Sequence, residues 1–302
     1  MTAGLRRTVL LLTLATLAAS ACARPGDAGT PSGTRDERPD AAAPPGPTYE
    51  VTAVRYATVP GYRVRNLVAD ADSTRTVDLA MTVWVLRRPD GSAVLVDTGF
   101  HRKKFIESWK PVDFMPASEA VARMGVDPRQ VTDVILTHVH WDHADGVDLF
   151  PGARVWIQKA EYDYYVGEDG SALQRGIDPD DATLLHEARA SGRVELVDGD
   201  GVEILPGITV YTGGKHTYAS QYIGVRTARG VVVVASDNCY LYENLERHAP
   251  IAQTLDAASN LAAQDRMREI AAEPSLIVPG HDPAVFERFP EPGGGLARIA
   301  GM

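Results

Sequence analysis

Apolar positions recur along this chain in two periods, and the elements change where the period changes. Residues 49–59 and 77–87 are rich in β-branched and aromatic side chains and read as strands. Pro89-Asp90-Gly91 is a turn cluster, and residues 92–96 return from it as a third strand, so the pattern opens on antiparallel hairpins. Residues 118–124 predict a short helix, with Ser118 as its N-cap and Gly125 just past its end. An apolar strand at 131–137 runs into His138, and another at 154–158 leads into a helical stretch from Lys159. A helix at 180–190 stops at Ser191-Gly192, and short strands follow at 194–197, 208–212 and 222–227. Residues 231–235 are apolar throughout and are expected to be buried on both faces. The longest helical pattern covers 255–271, and 276–278 is a last buried strand before Pro279-Gly280-His281. Hairpins and strand–helix units in one chain imply a layered α/β architecture, sheets covered by helices. Polar residues at the tips of short apolar strands fall where such folds build their sites.

Composition fits a chain with a packed core: 302 residues, 44% hydrophobic and 23% charged, which excludes a disordered protein. Two cysteines exclude a disulfide framework. With 30 Lys+Arg against 40 Asp+Glu and a formal net charge of −10, no nucleic-acid partner is expected. The N-terminus departs from the rest. Arg6 and Arg7 precede an apolar run from Val9 to Ala18 that is too short to span a bilayer comfortably, then Ala19-Ser20-Ala21 and Cys22. This order resembles a bacterial lipoprotein signal, in which the cysteine is lipidated and becomes the first mature residue. Ala19 stands where such signals usually carry Leu, and plain secretion with cleavage after Ala21 is the alternative. Either reading exports the chain. Residues 23–48 hold six prolines and four glycines without apolar periodicity. They read as a tether reaching about 30 Å, able to hold a domain off a membrane. The expected organisation is a signal at 1–21, a lipid-anchored linker at 22–48 and one domain at 49–302.

The candidate chemistry is concentrated in Thr137-His138-Val139-His140-Trp141-Asp142-His143. In an extended backbone His138 and His140 point to one side, and a following turn brings Asp142 and His143 round to face them. One loop thus offers four nitrogen or oxygen donors suited to zinc. Three more candidates each follow a predicted strand: His216 after Gly213-Gly214-Lys215, Asp237 at the tip of 231–235, and His281 after Pro279-Gly280. Taken singly, each is equally a loop or capping residue. Together the seven donors, five His and two Asp, exceed one tetrahedral zinc and suit two metals sharing a carboxylate.

His138-x-His140-x-Asp142-His143 followed by His216, Asp237 and His281 resembles the metallo-β-lactamase superfamily, over residues 49–289. The resemblance implies an αβ/βα four-layer sandwich of two mixed β-sheets with the metals at one edge. It implies two zinc ions: His138, His140 and His216 on one, Asp142, His143 and His281 on the other, and Asp237 bridging. Asp97-Thr98-Gly99 matches a turn near the site in which Asp97 orients a ligand histidine. True β-lactamases generally lack the bridging aspartate, and the flavo-diiron branch carries Glu in place of His140. Ribonuclease-type and glyoxalase-II-type members suit cytosolic substrates. The chain is most similar to N-acyl homoserine lactone lactonases, through His140-Trp141-Asp142-His143, the 148–153 stretch and Ser236-Asp237-Asn238-Cys239-Tyr240. Tyr240 stands where those lactonases place a tyrosine on the substrate carbonyl, though packing beneath the site is an equal reading.

Two segments depart from the family pattern. Ala144-Asp145-Gly146 adds a carboxylate that can alter metal affinity or hydrogen bonding, and Thr217-Tyr218-Ala219-Ser220 replaces the usual Thr-Pro-Gly after the histidine. Cys239 reads as a buried small residue. His101, His186 and His248 read as surface or structural residues, with His101 a candidate for the mouth of the site. The resulting expectation is an exported, lipid-anchored dinuclear zinc hydrolase. Metal-bound hydroxide opens a lactone or ester, a metal and Tyr240 stabilise the oxyanion, and Asp142 moves the proton. The alternatives are a broader carboxylester or thioester hydrolase, a β-lactamase of the same fold, or a non-catalytic metal-binding lipoprotein.

Overall fold

The computed structural model describes residues 46–291 and 294–301. The expected signal at 1–21, Cys22 and all but the end of the linker at 22–48 lie outside the described residues. Strands β1 (Glu50–Arg63), β2 (Thr76–Arg87) and β3 (Ala93–Val96) form the opening antiparallel meander. Helices α1 (Lys103–Trp109) and α2 (Ala117–Arg123) then lead to β4 (Val131–Ile135), the single turn α3 (Trp141–Ala144), β5 (Arg154–Gln158), α4 (Lys159–Tyr165), α5 (Pro179–Ala190) and β6 (Val194–Val197). The remainder runs β7 (Val202–Leu205), β8 (Ile208–Thr212), β9 (Gln221–Thr227), β10 (Gly230–Ser236), α6 (Tyr242–Arg247), α7 (Ala257–Ile270), β11 (Ile277–Pro279), α8 (Ala284–Arg288) and β12 (Leu296–Ala300).

Both sheets are mixed. The first has the order β12-β1-β2-β3-β4-β5-β6, parallel from β3 to β6 and antiparallel elsewhere. The second has the order β11-β10-β9-β8-β7, with only β10 and β11 parallel. Trp84, Val96 and Ile135 of the first sheet meet Ile223, Val232, Val234 and Val278 of the second in the central layer. The outer face of the first sheet is covered by Phe105, Val121, Tyr162 and Leu185 from α1, α2, α4 and α5. The outer face of the second is covered by Ala263 and Met267 of α7. The molecule is therefore helix, sheet, sheet, helix: the four-layer sandwich expected from the sequence. Strand β10 shows why its sequence is apolar without a break. Val232 and Val234 fill the central layer, while Val233 and Ala235 fill the layer under α7. Each fully buried valine contributes about 1.5–3 kcal/mol, so neither face tolerates a polar residue.

Local chemistry moved several boundaries. The helix predicted to begin at Ser118 starts one residue earlier, after Pro116, and no side chain caps it. Asp178 caps α5 through the Asp180 N–H, and Asp256 caps α7 through Ala258 and Ser259. Strand β4 stops at Ile135 because the Thr137 N–H is taken by the Asp97 carboxylate at 2.8 Å rather than by a neighbouring strand.

Candidate metal centre

Parallel neighbours end at the same edge. The C-terminal ends of β3 and β4 lie side by side in one sheet, and those of β10 and β11 in the other. Asp97 directly follows β3, the His138–His143 loop follows β4, Asp237 directly follows β10, and His281 lies two residues beyond β11. His216 arrives on the loop after β8. Asp97, Lys215 and Ser236 take left-handed backbone conformations (φ 60°, 48° and 47°), so the chain turns sharply where strand gives way to site.

The structure brings all seven predicted donors together in two groups, His138, His140, His216 and Asp237, and Asp142, His143 and His281. In the first, His140 Nδ1 is 3.0 Å from His138 Nε2 and 2.8 Å from His216 Nε2. Asp237 lies between the groups and divides its oxygens. Its Oδ2 is 3.3 Å from His216 Nε2 and 3.8 Å from His138 Nε2, while its Oδ1 is 2.9 Å from His281 Nε2 and 3.4 Å from His143 Nε2. Asp142 Oδ2 completes the second group at 3.6 Å from His143 Nε2 and 3.7 Å from His281 Nε2.

Partners on the far side of the rings fix which nitrogens carry protons. His143 Nδ1 donates to Asp97 Oδ2 at 2.8 Å, His281 Nδ1 to the Ala80 carbonyl at 3.1 Å, and His216 Nδ1 to the Gln253 carbonyl at 2.9 Å. Thr137 Oγ1 is held by Asp97 and lies 3.0 Å from His138 Nδ1. With the outer nitrogens turned to these partners, the Nε2 atoms of these four rings point inward. His143 Nε2 and Asp237 Oδ1 are buried without a hydrogen-bond partner. Against burial, which alone would raise it, His281 and His143 hold the Asp237 carboxyl well below the usual range. Against burial, which alone would lower them, Asp237 and its neighbours raise the basicity of His143 and His281. Burial and the surrounding histidines keep His138 and His140 far below the usual histidine range. Inward-facing nitrogens gathered around a buried carboxylate that attracts positive charge are what metal cations require, so the donor set fits metal.

Two glycines allow this approach. A Cβ on Gly280 would stand 2.8 Å from Asp237 Oδ1 and from the Ser236 carbonyl carbon. A Cβ on Gly214 would stand 2.2 Å from Asn238 Oδ1, and Gly214 also needs a φ of +82°.

The sequence model of the metallo-beta-lactamase superfamily matches residues 78–281, from β2 to the last of the donor histidines. The chain belongs to the metallo-beta-lactamase superfamily. It is a metal-dependent hydrolase of lactonase-like type. It is 29% identical over 221 residues to the N-acyl homoserine lactonase of Bacillus thuringiensis, covering 68% of this chain and 82% of that one. It is 23% identical over 247 residues to the N-acyl homoserine lactonase AttM of Rhizobium johnstonii, covering 75% and 91%. A solved N-acyl homoserine lactone hydrolase, with N-hexanoyl-L-homoserine at its catalytic metal centre, superposes with a TM-score of 0.67 at 21% identity, over 81% of this chain and 99% of that one.

Beside the donors this superfamily member has a cavity of about 270 Å³, lined in part by Asp142, Asp237, Tyr240 and His281. Tyr62, Leu67, Leu79, Met81, Trp109 and Trp141 line it as well. Trp141, between two of the donors in sequence, stacks on Phe105 at 4.8 Å and on Trp109 at 5.0 Å, so α1 clamps the donor loop. Sequence reading did not find this wall: α1 was not predicted, and Trp109 has no motif around it. The Tyr240 hydroxyl lies 3.2 Å from His216 Nδ1, and burial pushes its pKa well above the usual value, so the phenol stays neutral. Asp145 faces away from the donors and accepts from the His101 and Arg102 backbone at 2.7 and 3.0 Å, as well as from the Arg102 guanidinium. His101 is not at the mouth of the cavity; its ring pairs with Asp148 at 2.9 Å. Cys239 is fully buried. Glu161, unflagged by the sequence, is buried beside the histidine loops.

Proposed function

We propose that this protein is a dinuclear zinc lactonase that opens N-acyl homoserine lactone-like rings outside the cytoplasm. The observation that carries the reading is the division of Asp237, whose two oxygens serve two separate groups of nitrogens. His138 Nε2, His140 Nδ1, His216 Nε2 and Asp237 Oδ2 would hold one ion, and His143, His281, Asp142 and Asp237 Oδ1 the other. Bound zinc supplies a water with a pKa of about 7 and positive charge for the developing oxyanion. The apolar wall of Leu67, Leu79, Met81 and the two tryptophans accepts an acyl tail while the ring carbonyl faces the donors. The lactonase relatives support that choice of substrate over a β-lactam or thioester. His216 Nδ1 being committed to Gln253, the Tyr240 hydroxyl is free to donate to the carbonyl oxygen. Asp142, with 14% of its side chain exposed against 5% for Asp237, is the carboxylate placed to pass a proton to the leaving alkoxide.

Metal analysis joined to a substrate panel of lactones, esters, thioesters and β-lactams tests this. About two equivalents of zinc and selective lactone turnover are expected; turnover of another class alone refutes the substrate, and one equivalent refutes the bridge. Export and anchoring through Cys22 rest on the charged, apolar and small-residue order of residues 1–22. Fractionation of the producing cells should find the chain on a membrane with Cys22 as its lipidated first residue. A freely soluble chain with another N-terminus would show plain secretion instead.

A further inference from the structure

The three histidines of the first group come from two loops with different anchors. His138 and His140 leave β4, and His216 leaves β8. The backbone joins the two loops nearby through the Gln221 N–H to the Thr137 carbonyl, at 2.9 Å. The side chain of Glu161, on α4, fills the space between them and is fully buried. Its Oε1 accepts from the Val139 N–H at 3.3 Å and from Thr217 Oγ1 at 2.5 Å, and its Oε2 accepts from the Ala219 N–H at 2.6 Å. Val139 lies between His138 and His140, and Thr217 follows His216. One carboxylate therefore grips both loops next to their ligands. All three donors are neutral, so the group's burial is only partly offset and pushes its pKa up to about 7. Glu161 does not line the substrate cavity.

We propose that Glu161 is a positioning residue for the metal held by His138, His140 and His216. It sets the spacing of the two loops without touching metal or substrate. The inference rests on the dinuclear reading above. A metal site demands ligand distances true to about 0.2 Å. The 2.8 Å between His140 Nδ1 and His216 Nε2 spans two loops whose relative placement this carboxylate fixes. Glutamine cannot replace it. Its single acceptor oxygen can face Thr217 and Val139 or face Ala219, and in either case its NH2 meets a donor on the other side.

The test is chelator titration of the full-length, cobalt-substituted protein, following the visible absorption of each ion, with turnover measured alongside. In Glu161→Gln, one cobalt, with the spectrum of a histidine-rich site, should be lost about 10–100-fold more readily, while the other stays near its wild-type affinity. Thr217→Val, which removes one of three donors, should shift the same ion in the same direction by less. kcat should fall with occupancy and KM should hold. Equal weakening of both ions, or wild-type retention of both, in Glu161→Gln overturns the proposal. Should that variant not fold, wild-type cobalt affinity in Thr217→Val overturns it. A wild-type protein that binds only one cobalt refutes the dinuclear reading itself.

Discussion

Replacing Gly280 by alanine tests the bridging role proposed for Asp237 without removing any of the seven donors. Gly280 has no left-handed backbone, so a methyl group adds no conformational strain, only volume. Its Cβ would lie 2.8 Å from Asp237 Oδ1, 2.8 Å from the Ser236 carbonyl carbon and 2.9 Å from its oxygen. Ordinary contact needs about half an ångström more, and two of the three atoms are backbone, so the carboxylate is the part able to move. Overpacking of this kind costs about 1–3 kcal/mol. In a domain of this size that is a fall of roughly 2–12 °C in Tm. A carboxylate displaced by about half an ångström exceeds the roughly 0.2 Å tolerance of metal coordination. Metal content should therefore fall from about two equivalents toward one, and lactone turnover should fall with it. Elemental analysis and thermal melts, with and without chelator, read both effects. Gly91→Ala is the control: it has a φ of +86° and no atom within 4 Å of its Cβ, so it should lose stability and keep its metals. Two tightly held metals and an unchanged Tm in Gly280→Ala would refute the reasoning.

Tyr240→Phe keeps the ring and removes the donor, so turnover should drop about tenfold to a hundredfold with metals and Tm retained; full activity would make Tyr240 a packing residue. Asp181 gives a pH prediction away from the metals. Burial first, then Asp145, push its carboxyl up from 3.8 to about 8, with Arg102 opposing. The folded chain therefore holds a proton that the unfolded chain releases, and stability from this group is lost as pH rises from about 4 to about 8. Urea midpoints at about pH 5 and pH 8 should differ less in Asp181→Asn than in the wild type, and an equal difference would contradict the shift.

The seven candidate donors were legible because their chemistry is local. His138, His140, Asp142 and His143 sit within six residues, and the turn needed to gather them is one helical turn beginning at Trp141. Asp237 and His281 were legible as polar residues ending apolar strands, since β10 and β11 are parallel and end together. What holds the donors in place was mostly hidden. Glu161 lies in Lys159-Ala160-Glu161-Tyr162-Asp163, where a charged residue reads as solvent-facing; its burial depends on one loop 22 residues before it and another more than fifty residues after it. The stack of Phe105, Trp109 and Trp141 likewise depends on tertiary contact. Among strands, β7 and β12 were missed; Leu-Ala-Arg-Ile-Ala lacks β-branched alternation. Strand β12 is specified by its pairing with β1, far away in sequence.

Stepwise return of zinc to metal-free protein, with ring opening of an N-acyl homoserine lactone followed at each addition, tests the central claim most directly. The donor geometry predicts no turnover without metal and a rise that ends at about two equivalents, because Asp237 would be shared by two ions. Turnover that survives complete metal removal, or that reaches its maximum at one equivalent, would contradict it.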